Sequence, residues 1–318
     1  MSSRPPERPS PGVVQLGGLL PSLEAALRHR FGAVAVPSAD PAEIVAAAGS
    51  EVRVAVTSGR TGVSAALMDA WPGLGAIVNY GVGYEKTDVG AARARGIQIS
   101  NTPDVLTDCV ADLAVGALIA VARRIVAADR FVRDERWLHE AFPLGSKVSG
   151  GRVGILGLGR IGTAIARRLT AFGMPISYHS RNRVDACEYR YAPSPLALAS
   201  ESDFLVVAAA GGPGSAGVVS REVLAALGPD GYLVNVSRGD LVDESALVAA
   251  LTSGTIAGAA LDVFANEPRV PPQLLALDNV VLLPHIGSAT RQTRDEMASL
   301  VIANIDRYLG HGSLVTPV

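Results

Sequence analysis

Short apolar runs alternate with segments of helical periodicity along almost the whole 318-residue chain. Such alternation is typical of βαβ units, in which helices connect the parallel strands of one sheet and cover its faces. The fold class predicted from it is α/β, built on doubly wound parallel sheets. Strands of a first sheet are predicted at Val13–Leu16, Ala33–Val36, Val52–Val56, Ala76–Asn79 and Ile97–Ser100.

A second group of apolar runs begins after Gly150 and Gly151. Six parallel strands are enough to complete one dinucleotide-binding fold, so this group predicts a Rossmann-like domain. Its strands are predicted at Val153–Leu156, Ile176–Tyr178, Phe204–Ala208, Tyr232–Val236, Ile256–Leu261 and Val280–Leu283.

Two long helical patterns determine the predicted division of the chain. The pattern Asp104–Val126 lies between the two groups of strands, and the pattern Ala289–Leu309 follows the last strand. A dinucleotide-binding fold does not need the final helix, so we expect that helix to return to the first domain. The prediction is a discontinuous, Rossmann-like first domain at 1–102 and 287–318 and a dinucleotide-binding domain at 103–286.

Composition and charge exclude several classes of protein. Lys and Arg total 28 against 30 Asp and Glu, a net charge of −2, so no surface for nucleic acid is predicted. The two cysteines, Cys109 and Cys187, have no metal-ligand spacing, and no metal site is predicted. The most apolar stretch, Val105–Val121, contains Asp108 and Asp112, which disfavour a membrane span. We therefore expect a cytoplasmic protein that binds neither membrane nor nucleic acid.

A glycine-rich segment joins the first strand of the second group to a helix. It has the pattern G-x-G-x-x-G, in which the first glycine permits a tight turn, the second admits a pyrophosphate and the third lets helix and strand pack closely. Backbone N–H groups at the start of the helix then bind the anion. The predicted cofactor-binding residues are Gly157, Leu158, Gly159, Arg160, Ile161 and Gly162.

The end of the next strand indicates which dinucleotide is bound. Sites for NAD have an acidic residue about 20 residues after the glycine motif, where it binds the ribose 2′-hydroxyl. This chain has hydroxyl and guanidinium groups there instead, and because these suit a 2′-phosphate they predict NADP. The alternative interpretation is a solvated basic turn. The residues concerned are Ser180, Arg181, Asn182 and Arg183.

Charged side chains follow three further strands of the second group. Arg238, Glu267 and His285 each come just after a predicted strand. In an open parallel sheet the carboxyl ends of the strands line one crevice, which the dinucleotide also occupies. Any one of the three could be a surface charge or a core histidine, but their joint placement predicts a catalytic group.

Another glycine-rich turn follows the fourth strand of the first group, at Gly81-Val82-Gly83. Two glycines here expose successive backbone N–H groups, and such a concavity suits a carboxylate. The alternative is an ordinary tight turn. Val82 and Gly83 are the predicted substrate-binding residues of the first domain.

Taken together, these motifs strongly resemble the D-isomer-specific 2-hydroxyacid dehydrogenases from about Ala76 to the end of the chain. Within that family, Tyr178–Arg181 and Leu282–His285 are most similar to the NADPH-dependent glyoxylate/hydroxypyruvate reductases. The segments that carry the family resemblance are Gly81–Tyr84, Asn101–Pro103, Val105–Thr107, Gly157–Gly162, Asn235–Gly239, Val242–Asp243, Leu261–Phe264, Glu267–Pro268 and Pro284–Ser288.

The resemblance implies a role for each predicted site residue. It implies reduction of a small 2-keto acid by NADPH, with His285 as the acid/base, Glu267 as its partner and Arg238 binding the substrate. The amides of Val82 and Gly83 are implied to bind the substrate carboxylate. The residues implied to lie beside the cofactor, mostly at its nicotinamide end, are Thr107, Val236, Ser237 and Asp262.

Several alternatives stay open within this resemblance. The chain could be a dehydrogenase for D-lactate, phosphoglycerate or a bulkier 2-keto acid, or one of the formate or phosphite type. A dinucleotide-sensing scaffold, like the corepressors that share the fold, is a further alternative. The stretch Gly211–Gly217 departs from the leucine and threonine that the family usually has near the adenine, which leaves cofactor affinity open.

Apolar residues of the central region predict a homodimer. The helical pattern Asp104–Val126 and an arm at about 126–150 present more apolar surface than a lone Rossmann domain can cover. In the family that the chain resembles, this region forms the dimer interface. The large apolar residues of the arm are Phe131, Trp137, Leu138 and Phe142.

Overall fold

A computed structural model describes residues 12–37, 40–185, 187–212 and 214–318. The chain forms two compact units. Of these residues, unit 1 comprises those up to Leu106 together with Arg291–Val318, and unit 2 comprises those from Thr107 to Thr290. Each unit is built on one sheet in which all paired strands are parallel, so the predicted α/β class with two Rossmann-like sheets is confirmed.

Unit 1 contains a five-stranded sheet with the order β2-β1-β3-β4-β5. Its inner strands are buried along almost their whole length, because helices cover both faces and apolar side chains are therefore favoured at every position. The strands are β1 Val13–Leu16, β2 Val34–Val36, β3 Val54–Ser58, β4 Ala76–Tyr80 and β5 Gln98–Ser100.

Helices of unit 1 connect these strands, and the last helix of the chain joins them. Two of the connecting helices begin with proline, whose missing N–H is not needed in a first turn. The last helix packs against β4 and buries Met297, Val301 and Ile305. The helices are α1 Pro21–Phe31, α2 Pro41–Ala48, α3 Ala65–Ala70, α4 Val89–Ala94 and the last helix, α12, Arg291–His311.

Unit 2 contains a seven-stranded sheet, one strand more than predicted. The additional strand is Arg190–Tyr191, at the edge of the sheet. Arg190 and Tyr191 do not form an apolar run, so hydrophobic periodicity could not predict this strand. The sheet order is β12-β11-β10-β9-β6-β7-β8, with β6 Val153–Leu156, β7 Ile176–His179, β8 Arg190–Tyr191, β9 Phe204–Val207, β10 Tyr232–Asn235, β11 Gly258–Leu261 and β12 Val280–Leu282.

The prediction of one helix from Asp104 to Val126 was wrong. The helix α5 spans Thr107–Ala122, and Arg124 then adopts the left-handed conformation at φ 52°. The carbonyl of Ala122 accepts a hydrogen bond from Ser146 N at 2.8 Å, which ends the helix by tertiary contact. The other helices of unit 2 are α6 Ile125–Arg133, α7 Arg160–Thr170, α8 Pro195–Ser200, α9 Arg221–Leu227, α10 Glu244–Thr252 and α11 Pro272–Leu275.

The acidic residues within the apolar stretch of α5 have a structural partner. Arg168 of α7 donates to Asp108 at 2.9 Å and to Asp112 at 2.6 Å, and both carboxylates are exposed. These ion pairs lie where α5 packs along α7. Within the described ranges, none of the helices has both the length and the apolar character that crossing a membrane requires.

Candidate active site

His285 and Glu267 form a hydrogen-bonded pair in unit 2. The distance from His285 Nδ1 to Glu267 Oε2 is 2.7 Å, and both side chains are partly accessible to solvent. The other carboxylate oxygen, Oε1, accepts from Phe264 N at 3.2 Å, which fixes the orientation of Glu267. Because Nδ1 is engaged, Nε2 is the ring nitrogen available for a substrate.

Asp262 holds the backbone that follows His285. Its Oδ1 accepts from Ile286 N and its Oδ2 from Gly287 N, each at 2.7 Å. Burial raises the pKa of Asp262, while the two amides and His285 oppose that rise. The segment is strained at His285, a non-glycine residue with φ 55°, so Asp262 serves to hold His285 in place.

Arg238 is positioned by the side chain at the end of β10. Asn235 Nδ2 donates to Arg238 O at 2.9 Å, and Asn235 Oδ1 accepts from Ser237 N at 3.1 Å. The Arg238 guanidinium donates back to Ser237 O at 2.8 Å. A Cβ at Gly239 would collide with the Phe264 carbonyl, so glycine allows the Arg238 loop to pack against the segment that leads to Glu267. Sequence reasoning missed Asn235, although a polar residue at the buried end of an apolar strand was the available signal.

The glycine-rich segment has the geometry of a phosphate cradle. Gly157 has φ 98°, and a Cβ there would collide with Ala209, while a Cβ at Gly162 would collide with Gly157 O. A Cβ at Gly159 would meet no atom of the described residues within 4 Å, so the space beside the start of α7 is open. The backbone therefore fits a dinucleotide pyrophosphate, which the N–H groups at the start of α7 would bind.

Ser180 and the basic residues after it follow β7. Ser180 Oγ accepts from Leu158 N at 2.9 Å, which links the end of β7 to the glycine-rich segment. Arg181, Asn182 and Arg183 are exposed, and the Arg183 guanidinium lies 5.8 Å from the centre of the Tyr191 ring. Tyr191 belongs to the edge strand β8, so the strand that was not predicted contributes to the surroundings of Arg183.

Comparison with known proteins identifies the family. The sequence model of the D-isomer specific 2-hydroxyacid dehydrogenase NAD-binding domain matches residues 115–287. The chain belongs to this family. The glyoxylate/hydroxypyruvate reductase A of Arabidopsis thaliana is 44% identical over 96% of this chain and 98% of its own. The hydroxyphenylpyruvate reductase of Plectranthus scutellarioides is 47% identical over 87% of this chain and 88% of its own.

A solved structure is similar over nearly the whole of this 2-hydroxyacid dehydrogenase. It is the NADPH-dependent glyoxylate/hydroxypyruvate reductase of Sinorhizobium meliloti, in complex with NADP and malonate. The two chains are 45% identical, 97% of each is covered and the TM-score is 0.92. The predicted family and the predicted class of enzyme, an oxidoreductase with a dinucleotide-binding domain, are thereby confirmed.

The remaining predicted site residues of the dehydrogenase lie as follows. Thr107 is the first residue of α5, Val236 is buried just after β10, and Ser237 Oγ donates to Ala209 O. Val82 and Gly83 belong to unit 1, where the Val82 side chain is exposed and Gly83 is buried. Their roles toward cofactor and substrate stay predictions.

The divergent stretch Gly211–Gly217 is anchored at its carboxyl end. Gly217 N donates to Asp240 O at 2.8 Å, and Ser215 Oγ donates to Gly212 O at 2.7 Å. Pro213 lies outside the described residues. The described part of the chain contains no group of three or more His, Cys, Asp or Glu residues suited to a metal ion.

Proposed function

We propose that this dehydrogenase reduces glyoxylate and hydroxypyruvate with NADPH, yielding glycolate and D-glycerate. The observation that carries the proposal is the His285–Glu267 pair in the same unit as the pyrophosphate cradle. The names of the Arabidopsis thaliana and Sinorhizobium meliloti relatives support this choice of substrates.

Three side chains of unit 2 perform the proposed chemistry. NADPH, when bound, would supply the hydride for the carbonyl carbon of the keto acid. Arg238 stabilises the negative charge that develops on the carbonyl oxygen, and His285 Nε2 donates a proton to that oxygen. Glu267 holds the imidazole in orientation through Nδ1 and favours its protonated form.

A substrate panel tests the proposed function. NADPH oxidation, followed by loss of nicotinamide absorbance, is expected with glyoxylate and hydroxypyruvate at higher kcat/KM than with pyruvate. No oxidation with any 2-keto acid and either coenzyme would contradict the proposal and favour a dinucleotide-sensing scaffold.

A second candidate function is reduction of a bulkier 2-keto acid. The identity of 47% to the hydroxyphenylpyruvate reductase of Plectranthus scutellarioides favours it. Hydroxyphenylpyruvate therefore belongs in the substrate panel. A kcat/KM higher for that substrate than for glyoxylate would replace the first proposal with the second.

NADPH is expected to be preferred over NADH on the order of 10–100-fold in kcat/KM. Each charge-assisted bond from Arg181 or Arg183 to the 2′-phosphate contributes about 1.5–3 kcal/mol, and salt screens part of it at this exposed edge. The double variant Ser180→Asp with Arg181→Ser is expected to reverse the preference, because a carboxylate bonds the ribose hydroxyl and repels a phosphate. Both coenzymes are compared at low salt.

A matched control separates local from general charge effects on coenzyme choice. Arg167 is exposed in the last turn of α7, so Arg167→Gln removes one positive charge without touching the end of β7. The ratio of kcat/KM for NADPH to kcat/KM for NADH should not change in this variant. An unchanged ratio after loss of both Arg181 and Arg183 would contradict the assignment.

A homodimer is expected, formed through the arm at about 126–150, but Phe131 is not part of its exposed surface, because it is 4% exposed and packs against Phe142 within the chain. In the isolated chain Trp137 is 70% exposed, Leu138 75% and Leu144 97%, an apolar surface that a second copy would cover. Light scattering at micromolar concentration should give twice the chain mass of 32.8 kDa. Trp137→Glu with Leu144→Glu should shift the mass toward the monomer, whereas Leu275→Glu, at a residue 62% exposed on α11, should not.

We also propose the cytoplasm as the compartment of this enzyme. The two cysteines, Cys109 and Cys187, are both free thiols, as a reducing compartment would keep them.

A further inference from the structure

The substrate-binding turn predicted in unit 1 has all three of its carbonyls directed at protein donors. Gly81 O accepts from Thr102 N at 3.0 Å and from Asn79 Nδ2 at 2.9 Å. Gly83 O accepts from the same Asn79 Nδ2 at 2.8 Å, and Val82 O accepts from Asn101 Nδ2 at 3.0 Å. The carbonyls of residues 81–83 are therefore fixed.

The backbone amides of this turn differ from its carbonyls in their hydrogen bonding. Among the described residues, neither Val82 N nor Gly83 N donates a hydrogen bond to a protein acceptor. Val82 is 36% exposed and Gly83 beside it is buried, so the turn lies where the accessible surface begins. Successive N–H groups without acceptors form a concavity that binds an anion such as a carboxylate.

Asn79 is the residue that maintains this arrangement. It is fully buried at the end of β4, and its single Nδ2 group bridges the carbonyls of Gly81 and Gly83 on either side of Val82. Within the part of the chain that the structure describes, its own Oδ1 is buried without a hydrogen-bond partner, which costs stability. An apolar or smaller residue would avoid that cost, but it would remove this donor from Gly83 O and leave Gly81 O with Thr102 N alone.

The opposite side of the turn is confined by a second residue. A Cβ at Gly59, just after β3, would lie 2.7 Å from Gly83 O. Glycine at this position lets the Gly83 carbonyl occupy the place where Asn79 holds it. The turn is thus fixed from two directions that do not depend on each other.

We propose that Asn79 is a positioning residue, which preorganises the Val82 and Gly83 amides to bind the substrate carboxylate. The inference rests on the proposed function, since it assigns the carboxylate of that substrate to these amides. Without Asn79 the Gly83 carbonyl loses this buried donor and the Gly81 carbonyl keeps only Thr102 N, so the peptide group of Gly83 is less tightly held. The carboxylate then has to order the turn on binding, which weakens its affinity.

The test compares Asn79→Ala, Asn79→Ser and Gly59→Ala with a matched control, Asn279→Ala. Asn279 Nδ2 also bridges two carbonyls, Leu251 O and Ala257 O, but it lies at the amino end of β12 in unit 2. For each variant kcat and KM for glyoxylate are measured, together with the inhibition constant of malonate and the Kd of NADPH.

Asn79→Ala should raise KM for glyoxylate and the inhibition constant of malonate by about tenfold, as expected for two hydrogen bonds of ordinary net strength. The kcat should change little, because the proposed proton donor, His285, is positioned by Glu267 and Asp262 and not by this turn, and the Kd of NADPH should not change. Asn79→Ser keeps one donor and should recover part of the loss. Gly59→Ala should raise KM in the same way.

Activity of the unaltered protein separates the two proposals. If it reduces no 2-keto acid, the proposed function fails, whatever the variants do. If it does, and Asn79→Ala changes KM no more than Asn279→Ala, the positioning role is overturned. A fall in kcat and NADPH binding together with KM would likewise overturn it, since that pattern reports general damage to the fold.

Discussion

Replacing His285 with alanine is expected to lower kcat for glyoxylate by about 10²–10⁴-fold, the usual contribution of a positioned general acid. The reason is that the proposed mechanism makes Nε2 the proton donor to the carbonyl oxygen, while Nδ1 is engaged by Glu267 at 2.7 Å. The Kd of NADPH, measured by nicotinamide fluorescence, should not change. Steady-state kinetics with saturating glyoxylate give the kcat.

Two further variants serve as a comparison and a control for His285→Ala. Glu267→Gln keeps the shape of the partner but removes its charge, so we expect a smaller loss of kcat than in His285→Ala. His311→Ala alters an exposed histidine at the end of α12 and should leave kcat unchanged. Turnover by His285→Ala within a few-fold of the unaltered enzyme would remove His285 from the mechanism.

Replacing Arg238 with alanine is expected to lower kcat about 10²–10³-fold, the typical effect of losing one preorganised donor to a developing oxyanion. The KM for glyoxylate should rise as well, because in the proposed mechanism the same guanidinium orients the bound substrate. The backbone of Arg238 is held by Asn235, so the loop should keep its conformation in the variant. Kinetics over a range of glyoxylate concentrations separate the two effects.

Arg152→Ala is the matched control for Arg238→Ala. Arg152 lies just before β6, at the other end of the sheet, and donates to Asp203 at 2.6 Å. That guanidinium lowers the pKa of Asp203, so the variant should lose a little stability above the ordinary pKa of Asp203 but no activity. A KM that stays the same in Arg238→Ala would contradict the assignment of substrate binding to Arg238.

Much of the fold follows from local pattern. The strands Val13–Leu16 and Val153–Leu156 have the bounds that periodicity predicts, because strands covered on both faces need apolar side chains at every position. The glycine-rich segment could also be recognised from local sequence, because the spacing of its glycines reflects one tight turn and one close contact between helix and strand. The family motifs then predicted which charged residues belong to the site.

The edge strand of the second sheet and the end of helix α5 could not be predicted from local pattern. Strand β8 exists because Arg190 and Tyr191 pair with β7, although neither belongs to an apolar run. The helix α5 ends where Ser146, more than twenty residues further along the chain, donates to the Ala122 carbonyl. Both features depend on partners distant in sequence, which periodicity within a window does not contain.

The sequence by itself determined the parallel α/β architecture, the dinucleotide cradle and the residues Arg238, Glu267 and His285 as candidates for catalysis. Only the tertiary structure revealed the polar side chains that hold these groups in place: Asn235 behind Arg238, Asp262 behind His285, and Asn79 behind the turn of unit 1. The physical reason is that a catalytic side chain is restricted to a few residue types by its chemistry. A positioning side chain is defined by which backbone groups need a partner, and those groups are identified only when the chain has folded.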